Sequence, residues 1–165
     1  MPASDPHDLE RFVSAQAPVW RQAIAELRAA RKESHWMWFV FPQLRGLGRS
    51  AMAERYGIAS GAEAAAYLRH PLLGSRLVEA TAAMLAADRG LSALAILGSP
   101  DDVKFRSSMT LFAAVAAAPS PFAAALERFD GVLKRRRAPL PGDRGKLLQV
   151  VGKRALERRQ EVLAR

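Results

Sequence analysis

With 165 residues, half of them apolar and a quarter charged, the chain has the size and composition of one globular domain. It contains no cysteine, which excludes disulfides and thiolate metal sites. The formal net charge of +9 suggests a nucleic-acid binder until it is located: residues 1–130 carry 14 basic and 13 acidic residues, and residues 131–165 carry 11 and 3. The body is therefore nearly neutral and the basicity belongs to the C-terminal stretch. No run of about 18 apolar residues is present, so no membrane span is expected. The N-terminus lacks the basic-then-apolar order of a secretory signal, so a cytoplasmic protein is expected.

In chain order, residues 1–7 are polar and broken by proline. Asp8 is placed to cap a short helix carrying Leu9, Phe12 and Val13. Pro18 sits where a first helical turn accepts proline, and Trp20, Ala23, Ile24, Leu27 and Ala30 follow at helical spacing. Arg31 and Lys32 are expected to close that helix at its negative end. Four of the twelve aromatics then fall between Trp36 and Phe41. Read as a strand, this segment is apolar on both faces and has no partner strand, so a short buried helix or turn is expected. Pro42 ends it.

Ser50 caps a helix that Gly57 stops, and Ser60 with Glu63 three residues on forms a capping box. Leu73, Leu77, Ala80, Thr81, Met84 and Leu85 mark a longer amphipathic helix, and residues 91–98 allow one or two turns. Ser99-Pro100-Asp101-Asp102 is a strong helix start, with Phe105, Met109, Phe112 and Ala116 on one stripe to about Ala118. Pro119-Ser120-Pro121 breaks that helix and starts another, which is expected to end at Gly131. Residues 133–145 read as a linker, and 145–165 as a last helix of modest amphipathicity. The expected architecture is all-α: one compact multi-helix domain over residues 1–130, then a basic extension over 131–165.

Three stretches of this sequence stand out together: Asp8-Leu9-Glu10-Arg11-Phe12-Val13 with Ala15-Gln16, the run from Ser34 through Pro42-Gln43-Leu44-Arg45-Gly46-Leu47-Gly48, and Ser99 through Phe112. Over about residues 8–130 the chain closely resembles the bacterial DUF1810 family, a domain of unknown function. Tyr56-Gly57-Ile58 and His70-Pro71-Leu72-Leu73-Gly74 fit it too. The resemblance implies a helical fold and carries no activity, cofactor or site residue. A calpastatin-like label sometimes attached to such proteins does not suit a chain with a patterned core.

Several constellations carry chemistry, and each also reads as plain structure. His35 beside Trp36 and Trp38 would make an aromatic slot with a proton donor, or a core segment whose polar atoms meet backbone. Arg45 between glycines would approach a phosphate, or simply turn the chain. Asp102 and Arg106 are spaced to pair, while Lys104 and Ser108 border the apolar stripe. Lys104 there needs an acid, with Asp101 the nearest, or a bound anion. Lys134, Arg135, Arg136 and Arg137 would contact nucleic-acid phosphates without reading sequence, or form a solvated end. The three histidines lack metal-ligand spacing, so neither metal nor cofactor is expected.

Two functions follow as expectations. In the first, the protein holds a small anionic or nucleotide-like metabolite, with His35 and Lys104 as catalytic groups and Trp36, Trp38, Arg45, Arg106 and Ser108 lining the pocket. In the second, the basic tail binds nucleic acid.

Overall fold

The computed structural model of the chain describes residues 4–136, with side chains as far as Asp130. Among these residues nine helices follow one another: α1 Glu10–Gln16, α2 Trp20–Arg28, α3 Met37–Val40, α4 Ala51–Arg55, α5 Gly61–Arg69, α6 Leu73–Ala86, α7 Ala93–Leu97, α8 Asp101–Val115 and α9 Pro121–Arg136. Helix α6 lies among α2, α5 and α9, and α8 packs on α5, α7 and α9. The all-α expectation holds. No helix among the described residues is long and apolar enough to cross a membrane. The expected helix and linker within 137–165 lie outside the described residues.

The helix ends show which side chains do the capping. Asp5, not Asp8, caps α1: its carboxylate accepts from Leu9 N at 2.8 Å and Glu10 N at 2.9 Å. These two bonds, Glu10 first, hold the Asp5 carboxyl below its ordinary pKa. Asp8 instead takes a left-handed φ of 50°. Helix α2 stops at Arg28 because Ala30 turns left-handed (φ 53°). Arg31 N then donates to Glu26 O and Ala30 N to Leu27 O, both at 3.0 Å, the paired closure of a Schellman end. Arg31 and Lys32 therefore lie past the helix they were expected to close. Ser50 and Ser60 cap α4 and α5 as their sequence signals require. Helix α8 ends at Val115, a turn early, and α9 does not stop at Gly131 but continues to Arg136.

The aromatic segment is the one-turn helix α3 at the centre of the core. Trp36, Met37, Phe39, Val40 and Phe41 are buried. From it, rings touch in series: Trp36 to Phe41, Phe41 to Phe105 in α8, and Phe105 to Phe129 in α9. A second series joins Phe12 of α1 to Tyr67, Phe112 and Phe122. Such edge and tilted contacts add to the area these rings bury. So short a helix leaves carbonyls free, and side chains satisfy them: Gln16 Nε2 donates to Phe39 O at 2.7 Å, and Tyr67 Oη donates to it at 3.4 Å. At the far side Arg128 donates to the carbonyls of Met84, Leu85, Ala87 and Asp88, a cation on the negative end of α6.

Buried Glu26 of α2 anchors the segment. It accepts from the Trp36 indole and from Ser34 N and Ser34 Oγ, each of the latter at 2.8 Å. Burial pushes the Glu26 carboxyl up, but the bonds from Trp36, Ser34 and Gln22 outweigh it and leave the pKa below its ordinary value of 4.5. A depressed carboxylate stabilises the fold fully above its unfolded pKa and loses that contribution as pH falls through its folded one. Stability of the protein should therefore decline below about pH 4.5, and Glu26→Gln should flatten that decline in urea melts run across acid pH.

The same burial pattern separates the two tryptophans. Trp36 is 0% exposed, whereas Trp38 is only partly buried. Chemical denaturation should show a loss of ~3–5 kcal/mol for Trp36→Ala, and a clearly smaller loss for Trp38→Ala.

Candidate functional site

The aromatic side of the expected pocket is occupied by the protein itself. Trp36 faces Glu26, and its ring carries the Lys32 ammonium 5.0 Å from the centroid. Lys104 Nζ sits 4.9 Å from the Trp38 ring centroid and 3.4 Å from Asp101 Oδ1. Lys32, 7% exposed, takes the other oxygen of Asp101 at 2.9 Å. Asp101 is thus the acid that Lys104 required, shared with a second lysine. The hollow beside Trp38, Gln43, Tyr56 and Lys104 measures about 10 Å³, room for at most one water.

The other expected residues disperse. His35 is exposed. Arg106 pairs with Asp130 at 2.9 Å, joining α8 to α9, rather than with Asp102. Ser108 is fully buried, and its hydroxyl, like Asp102 Oδ1, meets no polar partner among the described residues. The backbone of Lys134, Arg135 and Arg136 continues α9; their side chains, and all of Arg137, lie outside what is described. Of the expected pocket residues, Trp38 and Lys104 come together, and Arg45 belongs to a different and larger cleft.

That cleft, of about 540 Å³, lies between the turn before α1, the loop after α3 and the start of α5. Its polar walls are His7, Asp8, Arg11, Arg45, Arg55 and Glu63. Arg11 is the floor. A guanidinium has five N–H donors, and all five are used. Nε donates to Arg55 O at 3.0 Å; Nη1 donates to His7 O at 2.7 Å and Asp8 O at 2.8 Å; Nη2 donates to Gly57 O at 3.1 Å and Glu63 Oε1 at 2.6 Å. Glu63 gives its other oxygen to Ala59 N at 2.6 Å, so the capping glutamate also neutralises the buried arginine. The Arg11 guanidinium covers the Phe12 ring at 4.3 Å.

Arg45 and Arg55 are differently placed. Arg45 Nε donates to Glu54 O and Nη2 to Gly57 O, both at 3.2 Å, which leaves three of its five N–H groups without a protein acceptor among the described residues. The Glu54 carboxylate stands 3.7 Å from Nε, a loose and exposed pair. Arg55 makes no side-chain hydrogen bond among the described residues, and its guanidinium lies 5.5 Å from the Tyr56 ring centroid. The loops that present these groups meet at Gly57, where a Cβ would fall 2.7 Å from Arg45 Cα, so only glycine permits the approach. Ile58 N donates to Gln43 O and Arg45 N to Ile58 O, both at 2.9 Å, which fixes the register. A depression of about 480 Å³ elsewhere, between α5, α6 and the start of α9, is mostly apolar around Leu68, Val78, Val115 and Phe122.

Sequence reasoning missed His7, Asp8, Arg11, Arg55 and Glu63 as cleft residues. Asp8 and Arg11 lie inside the first of the conspicuous stretches, but their spacing signals only a helix start, and Glu63 signals only a cap. Their convergence is a tertiary fact.

This chain belongs to the DUF1810 family, whose model, described as a protein of unknown function, matches residues 6–138. It is similar to the conserved hypothetical protein Rv1873 from Mycobacterium tuberculosis, known from a crystal structure: the two share 57% identity, the match covers 77% of this chain and 90% of the other, and the TM-score is 0.75. No curated protein matches the chain. The family match spans the helical body and leaves most of the basic extension outside.

If Arg11 is the structural floor, Arg11→Met should cost ~3–5 kcal/mol in urea unfolding, because it leaves the buried Glu63 carboxylate without its counter-charge and the carbonyls of His7 and Arg55 without a donor. Arg55→Ala should change stability by less than ~0.5 kcal/mol.

Proposed function

We propose that the protein binds a small anionic metabolite in the arginine cleft, not against the tryptophans. The observation that carries this reading is the division of labour among three guanidiniums. Arg11 is saturated by protein acceptors, while Arg45 and Arg55 line a cleft of ligand size with donors to spare. Arginine forks suit phosphate and carboxylate because they offer paired N–H groups in a fixed plane. Arg11 and Glu63 cancel each other's charge, which leaves Arg55 and Arg45, the latter loosely paired with exposed Glu54 at 3.7 Å, beside Asp8. His7 is half-buried at the rim, and its imidazole is the residue that would carry a proton if chemistry follows binding.

Inorganic phosphate serves as a first probe. Titrated phosphate should raise the melting temperature of the full chain. Arg45→Ala and Arg55→Ala should each weaken its apparent affinity at least ~10-fold, the usual worth of a hydrogen bond to a charged group. Lys104→Met should leave it unchanged. Loss of the effect in Lys104→Met, with retention in both arginine variants, would return the ligand to the tryptophan side.

A second reading rests on the charge contrast between +1 over residues 1–130 and +8 over residues 131–165. It gives the extension a sequence-blind, salt-dependent affinity for nucleic acid, and removal of residues 131–165 should abolish DNA retention while sparing phosphate binding.

A further inference from the structure

We infer that the cleft's ligand is a hydroxylated phosphate ester without an aromatic base, held by its phosphate on Arg45 and Arg55 and by a hydroxyl on Asp8; this rests on the anion-binding reading above. The starting point is the acid in the cleft. Of the two carboxylates there, Glu63 has both oxygens engaged, by Arg11 and by Ala59 N. The Asp8 carboxylate accepts no hydrogen bond among the described residues. A site shaped for a bare anion gains nothing from a second acid, which repels it. A carboxylate only accepts, so its natural partner is a donor on the ligand, and a sugar or polyol hydroxyl supplies one beside a phosphate.

Asp8 is held to this position. Its φ of 50° lies in the left-handed region, uncommon outside glycine though tolerated by aspartate and asparagine. Its carbonyl is gripped by Arg11 Nη1 at 2.8 Å, and its N–H donates to Asp5 O at 3.1 Å. The saturated guanidinium that forms the floor thus also fixes the backbone that presents the acid. A conformation of this kind persists where its surroundings determine it.

The anion is best matched by phosphate. Two forks can each take oxygens of one phosphate, whereas a lone carboxylate is filled by a single arginine. An aromatic base finds no phenyl, phenol or indole face on the lining, and the one imidazole, His7, stands at the rim. The only apolar residues on the lining are Pro6 and Ala59, and the neighbouring Phe12 and Tyr56 rings are buried beneath the Arg11 and Arg55 guanidiniums. With both guanidiniums engaged by the phosphate, a base would add volume with only the rim imidazole to stack on.

Calorimetric titration of the full chain with inorganic phosphate, ribose 5-phosphate and adenosine monophosphate tests the inference. Ribose 5-phosphate should bind about 10-fold more tightly than inorganic phosphate, one charge-assisted hydrogen bond being worth about that factor. Adenosine monophosphate should bind no more tightly than ribose 5-phosphate. In Asp8→Asn, and in Asp8→Gly, which also accepts the positive φ, the preference for ribose 5-phosphate over phosphate should fall towards one. An unchanged preference in both variants, equal binding of phosphate and ribose 5-phosphate by the natural chain, or a 10-fold advantage for adenosine monophosphate would each overturn the inference while leaving anion binding standing. Absence of binding by all three probes would remove both.

Discussion

A guanidinium cannot be buried without acceptors for its donors, and Arg11 has only 9% of its side chain exposed. Four carbonyls and one carboxylate answer that demand, drawn from the turn before α1, the end of α4, Gly57 and α5. Segments more than forty residues apart in sequence are thereby brought to one point. The shape of the cleft follows: the acceptors must converge on Arg11, and the side chains of the residues that supply or flank them, Asp8, Arg45 and Arg55, are left around its rim. The cleft is not a gap between helices but the outer side of a buried polar knot.

A second buried carboxylate organises the opposite side of the segment after α2. Glu26 holds Ser34 and Trp36, and Asp101 holds Lys32 and Lys104 together. Here the polar groups satisfy one another, and the hollow beside Trp38 and Lys104 is nearly closed. The contrast with the arginine cleft is physical. Where every charge has a partner and the volume admits one water, nothing is left for a ligand to do. Where a saturated arginine is flanked by two others with unused donors, hydrogen-bond donors remain for the proposed anion.

Much of the fold was legible because it rests on local rules. The serine caps at Ser50 and Ser60, the stripes through Ile24, Leu77 and Phe105, and the absence of any partner strand for residues 36–41 all point to the helices observed. The errors are local too. Asp5 outcompeted Asp8 because a carboxylate three residues further back can still reach Leu9 N and Glu10 N. Alanine at position 30 closed α2 in the left-handed conformation that glycine usually marks. Gly131 did not end α9, since a helix tolerates a single glycine at modest cost. The site was far less legible. Asp101 was one of two partners the sequence offered Lys104, the other being a bound anion, but nothing in the sequence reveals that Lys32 joins the pair. Nor does the sequence reveal that the carbonyls of His7, Asp8, Arg55 and Gly57 surround Arg11, since contacts of that separation leave no periodic trace.

The central claim is that Arg11 is spent on the fold while Arg45 and Arg55 are kept for an anion. Arginine side-chain Nε–Hε resonances followed by NMR during phosphate titration address it residue by residue. The account predicts that the Arg45 and Arg55 signals shift progressively with phosphate while the Arg11 signal, already bonded to Arg55 O, stays in place and remains protected from solvent exchange. Equal movement of all three, or shifts confined to Trp36 and Trp38 with the arginines unmoved, would contradict it.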